Sequence, residues 1–294
     1  MITIFSPTRP FESDIADVQI NAIKSWLNQK HKCEIILFND EKNTAKDYCN
    51  DLDIIVLDQV KRGLSGVPFL DSMYEEVHKI SSNDIICYLT ADILLPNDFS
   101  DKIIEFYNLG NNQFKKFVGI SGRYDLTDKN IKKNSLSEDE YYNLCSDNCY
   151  ERGRSGIDLW ITNKNDDIDF LPFPIGRCLT DNWFVYHCRK NNFQVIDLSK
   201  EIKIIHQNHS KPSKTNDFFI LEKIHCHLIF ENASENGMDI YDSDFLYYNN
   251  KFIRPTGLRK LYYILSTNKI YRKLLGLRRM YRNKLYKIQL EKLK

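Results

Sequence analysis

One carboxylate, Asp92, is set between two apolar runs, Ile85 to Leu89 and Ile93 to Leu95. Burying a carboxylate is costly unless it is paired or bound to a metal. The first run reads as a fully buried strand of a parallel sheet. Ligands of open α/β sheets sit at the carboxyl ends of strands, so Asp92 is placed to hold a metal–phosphate group. The plainer role would be a helix cap. Asn97, just after Pro96, is already a good N-cap for a helix over Asp98 to Leu109, which leaves Asp92 free.

Other residues with chemical potential each carry a plainer alternative. Asp40 closes a strand, but Asn39-Asp40 is also common turn chemistry. Arg62 is a phosphate candidate or a solvated surface charge. Asp158 follows a glycine-containing turn and is otherwise an exposed strand-entry residue. Asp181 opens a helix, where a carboxylate is a favourable cap. A late strand runs into Ile205-His206-Gln207-Asn208-His209.

The elements that must position these residues alternate. Strands are expected at Ile2 to Phe5, Glu34 to Phe38, Ile54 to Leu57, Ile85 to Leu89 and Lys116 to Ser121. Helices fall between them, one carrying Ile15, Val18, Ala22, Ile23 and Trp26 at helical spacing. That alternation is the signature of a doubly wound sheet. A helix is expected over Glu138 to Tyr150, an amphipathic helix from Thr180, short strands at Val195 to Leu198 and Ile202 to Ile205, and a helix over Asp217 to Glu231.

Several classes lose support. No Gly-x-Gly-x-x-Gly follows the first strand, no Walker-type glycine loop occurs and no Gly-x-Ser-x-Gly elbow is present. The 294 residues, 42% hydrophobic and 28% charged, suit one large α/β domain with an appendage. No apolar stretch reaches 18 residues, and the N-terminus reads as a strand rather than a leader. The eight cysteines contain no Cys-x-x-Cys, so a reduced, cytoplasmic chain is expected. The net charge of +1 hides an asymmetry. Leu258 to Lys294 holds twelve Lys and Arg against one acid, Glu291, a charge of +11, so the remainder carries −10. Within it Leu274, Leu277, Tyr281, Leu285 and Ile288 form an apolar stripe among basic residues. Such a tail suits an anionic membrane surface, with packing on the acidic body or a partner as the alternative. Nucleic acid is not the expected partner, for want of a reading motif.

Taken together, Thr90-Ala91-Asp92, Gly156-Ile157-Asp158, Pro172-Phe173-Pro174-Ile175-Gly176-Arg177, Asp181-Asn182-Trp183 and His206-Gln207-Asn208-His209 resemble the motifs of GT-A-fold nucleotide-diphospho-sugar glycosyltransferases, specifically a poorly characterised bacterial, viral and plant group. The resemblance covers residues 1 to about 210. It implies a Rossmann-like mixed sheet flanked by helices over a domain at 1–215; the pattern of the remaining sequence adds a helix and connection at 216–257 and a basic helical tail at 258–294. It also implies transfer of a sugar from a UDP- or GDP-linked donor to a glycan or lipid-linked acceptor with Mn²⁺ or Mg²⁺, on the inner face of a membrane if the tail binds there. Thr90 departs from the family's Asp-x-Asp, standing where the first Asp usually does.

On that resemblance Asp92 and His206 are the metal ligands. His209 is the alternative to His206, which is favoured by its strand-end position. Ser6, Thr8 and Arg9 would flank the base and phosphate. Asp40 would meet the nucleoside, Arg62 a phosphate, and Thr90, Ala91 and Asp92 the diphosphate end. Asp181 would act as general base on the acceptor. Gly156, Asp158, Asn182 and Trp183 would shape the sugar site, the indole lying on a pyranose face. Two competing readings are a GT-A-like binding module, motivated by Thr90, and a sugar-1-phosphate nucleotidyltransferase. The latter lacks its glycine-rich loop, since Ser6 to Pro10 contains no Gly.

Overall fold

The computed structural model describes residues 1–127, 136–153, 156–177, 179–210, 217–232 and 237–267. Its first half alternates as the pattern requires: β1 (Ile2–Pro7), α1 (Ser13–Leu27), β2 (Cys33–Phe38), α2 (Thr44–Cys49), β3 (Ile55–Leu57), α3 (Leu70–Ile80) and β4 (Ile85–Leu89). β1 pairs in parallel with β2 on one side and β4 on the other, and β3 extends β2. Both faces of these strands are covered, yet the period of two survives. In β4, Ile85, Cys87 and Leu89 enter one core layer while Ile86 and Tyr88 enter the other.

The second half makes the sheet mixed. It comprises β5 (Ile93–Leu94), α4 (Phe99–Gln113), β6 (Phe117–Leu126), α5 (Glu138–Asn148), β7 (Cys149–Glu151), β8 (Ile157–Asn163), α6 (Thr180–Lys190), β9 (Gln194–Asp197), β10 (Ile204–His206), α7 (Asp217–Asn232), β11 (Phe245–Tyr248), β12 (Lys251–Ile253) and α8 (Gly257–Thr267). β8 inserts antiparallel between β4 and β6. The order of the long sheet is β12-β11-β9-β6-β8-β4-β1-β2-β3. α1, α2 and α4 cover one face through Trp26, Ala45, Ile103 and Phe106. α3, α6 and α7 cover the other through Met73, Phe184, Cys226 and Phe230. This is the mixed, helix-flanked α/β sheet that the resemblance implied. Residues 216–257 contribute α7 and a hairpin that joins the sheet at β9.

Some expectations are corrected. α4 starts at Phe99 with Asp98 in the cap position and no side-chain cap bond. The Asn97 amide donates instead to the Asn28 carbonyl at 2.6 Å, so Asn97 is not the cap. β6 runs on to Leu126, past the expected end at Ser121, because beyond a bulge at Ser121/Gly122 it continues beside β7 and β10. Cys33, Cys87 and Cys188 are buried free thiols as expected, but Cys226 is disulfide-bonded, which corrects the wholly reduced reading. No helix among the described residues is long and apolar enough to cross a membrane. Of the basic tail, only α8 falls within the described residues. The expected stripe from Leu274 to Ile288 lies outside them.

Candidate functional site

The site is assembled by strand register. β10 runs antiparallel to β5, setting His206 opposite Ile93, and parallel to β6, setting His206 opposite Asp125. Two backbone bonds fix the turn between β4 and β5: Ile93 N–H to the Thr90 carbonyl at 3.2 Å and Gln207 N–H to the Asp92 carbonyl at 3.1 Å. The Trp26 indole adds a third tie, donating to the Ile93 carbonyl at 2.8 Å. Asp92 and the two histidines, more than a hundred residues apart in sequence, are thereby brought together.

Asp92 Oδ2 lies 3.0 Å from His209 Nε2 and 3.4 Å from His206 Nε2, and Oδ1 accepts from the Thr90 hydroxyl at 2.6 Å. Burial pushes the Asp92 carboxyl up. The hydrogen bonds from His206 and His209, the His206 charge and the Thr90 hydroxyl outweigh it and hold the group well below the usual carboxylate range. The hydrogen bond to Asp92 is also the main reason the His209 imidazole is shifted up. His209 Nδ1 lies 2.8 Å from the Ser210 carbonyl. A proton there leaves the Nε2 lone pair free to ligate. His206 Nδ1 faces Asp125 at 3.5 Å. Asp125 is itself held by Arg123 Nε at 2.8 Å and Arg152 Nη1 at 3.2 Å.

One carboxylate oxygen and two imidazole nitrogens, all within 4.8 Å of one another, fit a divalent cation. The donor set favours Mn²⁺ over Mg²⁺. Beside it opens a cavity of about 540 Å³, lined among others by Thr8, Arg9, Gln19, Ser65 to Pro68, Thr90 to Asp92, Arg177, His209 and Phe219. That volume falls in the range of small-molecule sites.

A second cluster of carboxylates flanks the first. Asp158, at the start of β8, pairs with Arg123 Nη1. Burial pushes its carboxyl up, Arg123 pulls it down, and Asp92 pushes it up again, for a net rise. Asp181 stands in the first turn of α6. Burial and then the Asp158 charge push it up to about 7, against the pull of the Asn182 and Ile157 backbone N–H groups. Burial, and after it the charges of Asp158, Asp92 and Asp181, push the Tyr88 hydroxyl up.

Several other expected site residues have structural partners instead. Asp40 is 1% exposed and accepts from Lys42 N, Thr44 N, Thr44 Oγ1 and Ala45 N at 2.8–3.0 Å. It caps α2 rather than meeting a nucleoside. Arg62 donates from Nη1 to the Gly66 carbonyl and from Nη2 to the Asn39 carbonyl, at 2.8 and 2.5 Å, so it staples a loop rather than awaiting a phosphate. Ser6 is fully buried and spends its hydroxyl on the Pro7 carbonyl. Trp183 is 0% exposed, edge-on to Phe173 and against His187, so no pyranose reaches its face. The Asn182 amide donates to the Met238 carbonyl at 2.7 Å and ties α6 to the segment that leads into the 3-10 turn Ile240–Asp242. Gly156 serves packing: its carbonyl accepts from Arg123 N–H, and an added Cβ would fall 2.5 Å from Arg152 Cγ. Of the donor-side residues, Thr8, Arg9, Thr90, Ala91 and Asp92 do line the cavity.

Three partners went unrecognised in the sequence. Arg123 and Asp125 alternate on one face of β6, a period-two signal that pointed inward. Glu222 on α7 is held against Arg177 and Ser65 by contacts far apart in the chain, which no local pattern reveals.

No family model and no curated protein matches the chain. Among solved structures, residues 1–349 of S. aureus TarS in complex with UDP-GlcNAc resemble it at a TM-score of 0.48 and 12% identity, covering 79% of this chain and 66% of that one. A longer S. aureus TarS structure gives 0.44 and 13%, covering 79% and 40%. The galactosyltransferase LgtC, in complex with donor and acceptor sugar analogues, gives 0.29 and 15%, covering 56% and 58%. This chain thus spans under two thirds of each.

Proposed function

We propose that the chain is a divalent-metal-dependent glycosyltransferase, moving a sugar from a UDP- or GDP-linked donor to a glycan or lipid-linked acceptor. The observation that carries this reading is the Asp92–His206–His209 cluster, whose Asp92 and His209 line a nucleotide-sized cavity. Asp92, His206 and His209 would hold the cation. When bound, it supplies charge neutralisation for a departing diphosphate. Thr90 fixes one Asp92 oxygen, so the other faces the two imidazoles. Arg9 and Thr8 line the same cavity. Asp181 is the candidate base. A carboxyl near 7 divides between both forms at neutral pH and so combines availability with proton affinity. Asp158, gripped by Arg123, keeps a second charge beside it and raises its basicity. The test is a donor panel of UDP- and GDP-sugars assayed for nucleoside diphosphate release with Mn²⁺, with Mg²⁺ and with chelator. Metal-dependent release from at least one donor is expected, and release from none sinks the reading.

The acceptor side of the proposal includes an anionic lipid surface reached through 258–294. Support comes from α8, where Leu258, Leu261 and Ile264 are exposed along one face. The helix is pinned from its other side by Arg259, which donates to Asp197, the Ile240 carbonyl and Ser243. Basic residues near such a surface each contribute about 1 kcal/mol. Co-sedimentation with anionic vesicles should be lost on truncation after Pro255. Equal recovery of both forms in the supernatant at low salt would refute it.

A further inference from the structure

The part of the cavity wall formed by Ser65 and Arg177 is built around a buried charge that the reading above leaves unused. Glu222 on α7 is 3% exposed and is not part of the cavity lining. Its Oε2 accepts from Arg177 Nε at 2.7 Å and from the Ser65 hydroxyl at 2.5 Å, and its Oε1 accepts from Ser65 N–H at 2.8 Å. Arg177 Nη2 also donates to Ser65 Oγ at 2.6 Å, and the guanidinium lies over the Phe219 ring at 4.7 Å. The plane of the fork is thus set on one edge and one face. Nη1 is left without a protein partner among the described residues.

The approach is close enough to dictate sequence. A Cβ at residue 63 would fall 2.3 Å from Glu222 Oε1, so any other residue there would push the carboxylate out of this position. A buried ion pair adds little net stability, because desolvation offsets the attraction. Its usefulness here is orientation. Glu222 stands behind the wall and holds Arg177 and Ser65 at its surface, in the cavity that Asp92 and His209 also line. A planar fork held in place by its Nε and Nη2 bonds at a cavity wall matches a tetrahedral oxyanion better than a freely rotating lysine would.

We infer that Arg177 and Ser65, braced by Glu222, form an anion subsite that takes a phosphoryl oxygen of the nucleoside diphosphate. Arg177 and Ser65 contact the ligand and Glu222 is a positioning residue. The inference rests on the nucleotide-sugar reading and adds a protein ligand for the diphosphate that is independent of the cation.

The experiment is isothermal titration of the full chain with UDP and GDP, each against its free nucleoside, in Mn²⁺ and in EDTA. Two variants are compared with wild type. Arg177→Lys keeps a charge over Glu222 but loses the fork. Arg177→Met combined with Glu222→Leu removes both charges and leaves none buried alone. Each should bind the diphosphate about tenfold more weakly, with or without Mn²⁺, and the nucleoside as wild type does. If the paired variant unfolds, Arg177→Lys decides alone. Unchanged diphosphate affinity in a folded variant overturns the subsite, as does an equal loss for nucleoside and diphosphate, which would make the cluster a structural brace. A wild-type chain that binds neither UDP nor GDP overturns the nucleotide reading and the subsite together.

Discussion

Asp40 and Asp92 occupy equivalent places in the fold and do different things. Each follows a parallel strand of the same sheet, β2 or β4, in the turn at its carboxyl end. Asp40 is surrounded by its own sequence neighbours. Four donors from Lys42, Thr44 and Ala45 use its oxygens. Asp92 has one local donor, Thr90, and its other oxygen faces two imidazoles brought by β10. A strand-end carboxylate becomes a candidate ligand when the chain turns away from it and a distant strand arrives beside it. When its own loop folds back over it, it is a cap.

The sharpest break of that contrast is a matched pair of substitutions. Asp92→Asn should reduce nucleoside diphosphate release by several kcal/mol of transition-state stabilisation, on the order of 10³-fold, with the thermal midpoint nearly unchanged. Near-native turnover would show that the two strand ends are alike after all.

A smaller effect is expected at Asp181, whose carboxyl sits beside a second carboxylate rather than beside imidazoles. If it is the base, the turnover rate should rise through pH about 7 and level off above it, and Asp181→Asn should flatten the profile and cost about 10²-fold. The stability sign runs the other way. The folded chain holds this proton more tightly than the unfolded chain, whose carboxyl titrates near 3.8, so this group's contribution to stability falls as pH rises from about 4 to about 7. Asp181→Asn should therefore melt higher than wild type at pH 8, with the gap closing by pH 4. A gap independent of pH in calorimetry would refute the raised carboxyl.

The mildest consequence falls on the cap. Asp40→Asn should lower stability by about 1–2 kcal/mol, read by denaturant unfolding, while nucleotide binding by the folded chain stays as in wild type. A selective loss of nucleoside affinity would return Asp40 to the site and erase the contrast.

Much of the scaffold was legible. Periodicity located β1, β2, β4 and α1 to within a few residues, because each carries an apolar pattern tied to its own geometry. Asp92 was legible too, since a charge between apolar runs is conspicuous. β8 was legible only in part: Asp158 was read as a strand entry, but a local pattern carries no pairing direction, so the antiparallel insertion between β4 and β6 was not. Trp183 read as a sugar platform because it neighbours Asp181, yet the helical period turns it inward by about 100° per residue onto Phe173.

The sequence by itself determined where β1, β2, β4 and α1 fall, that the sheet is covered on both faces, and that a carboxylate and a His-x-x-His segment end two of its strands. Only the tertiary structure decided which of those groups meet. Register places His206 opposite both Ile93 and Asp125, and the following loop returns His209 to Asp92. It likewise sets Glu222 behind Arg177 and leaves Asp40 to its own loop. Local propensity is set by neighbours within a few residues, whereas these contacts depend on strand order and register, which are fixed by how whole faces pack.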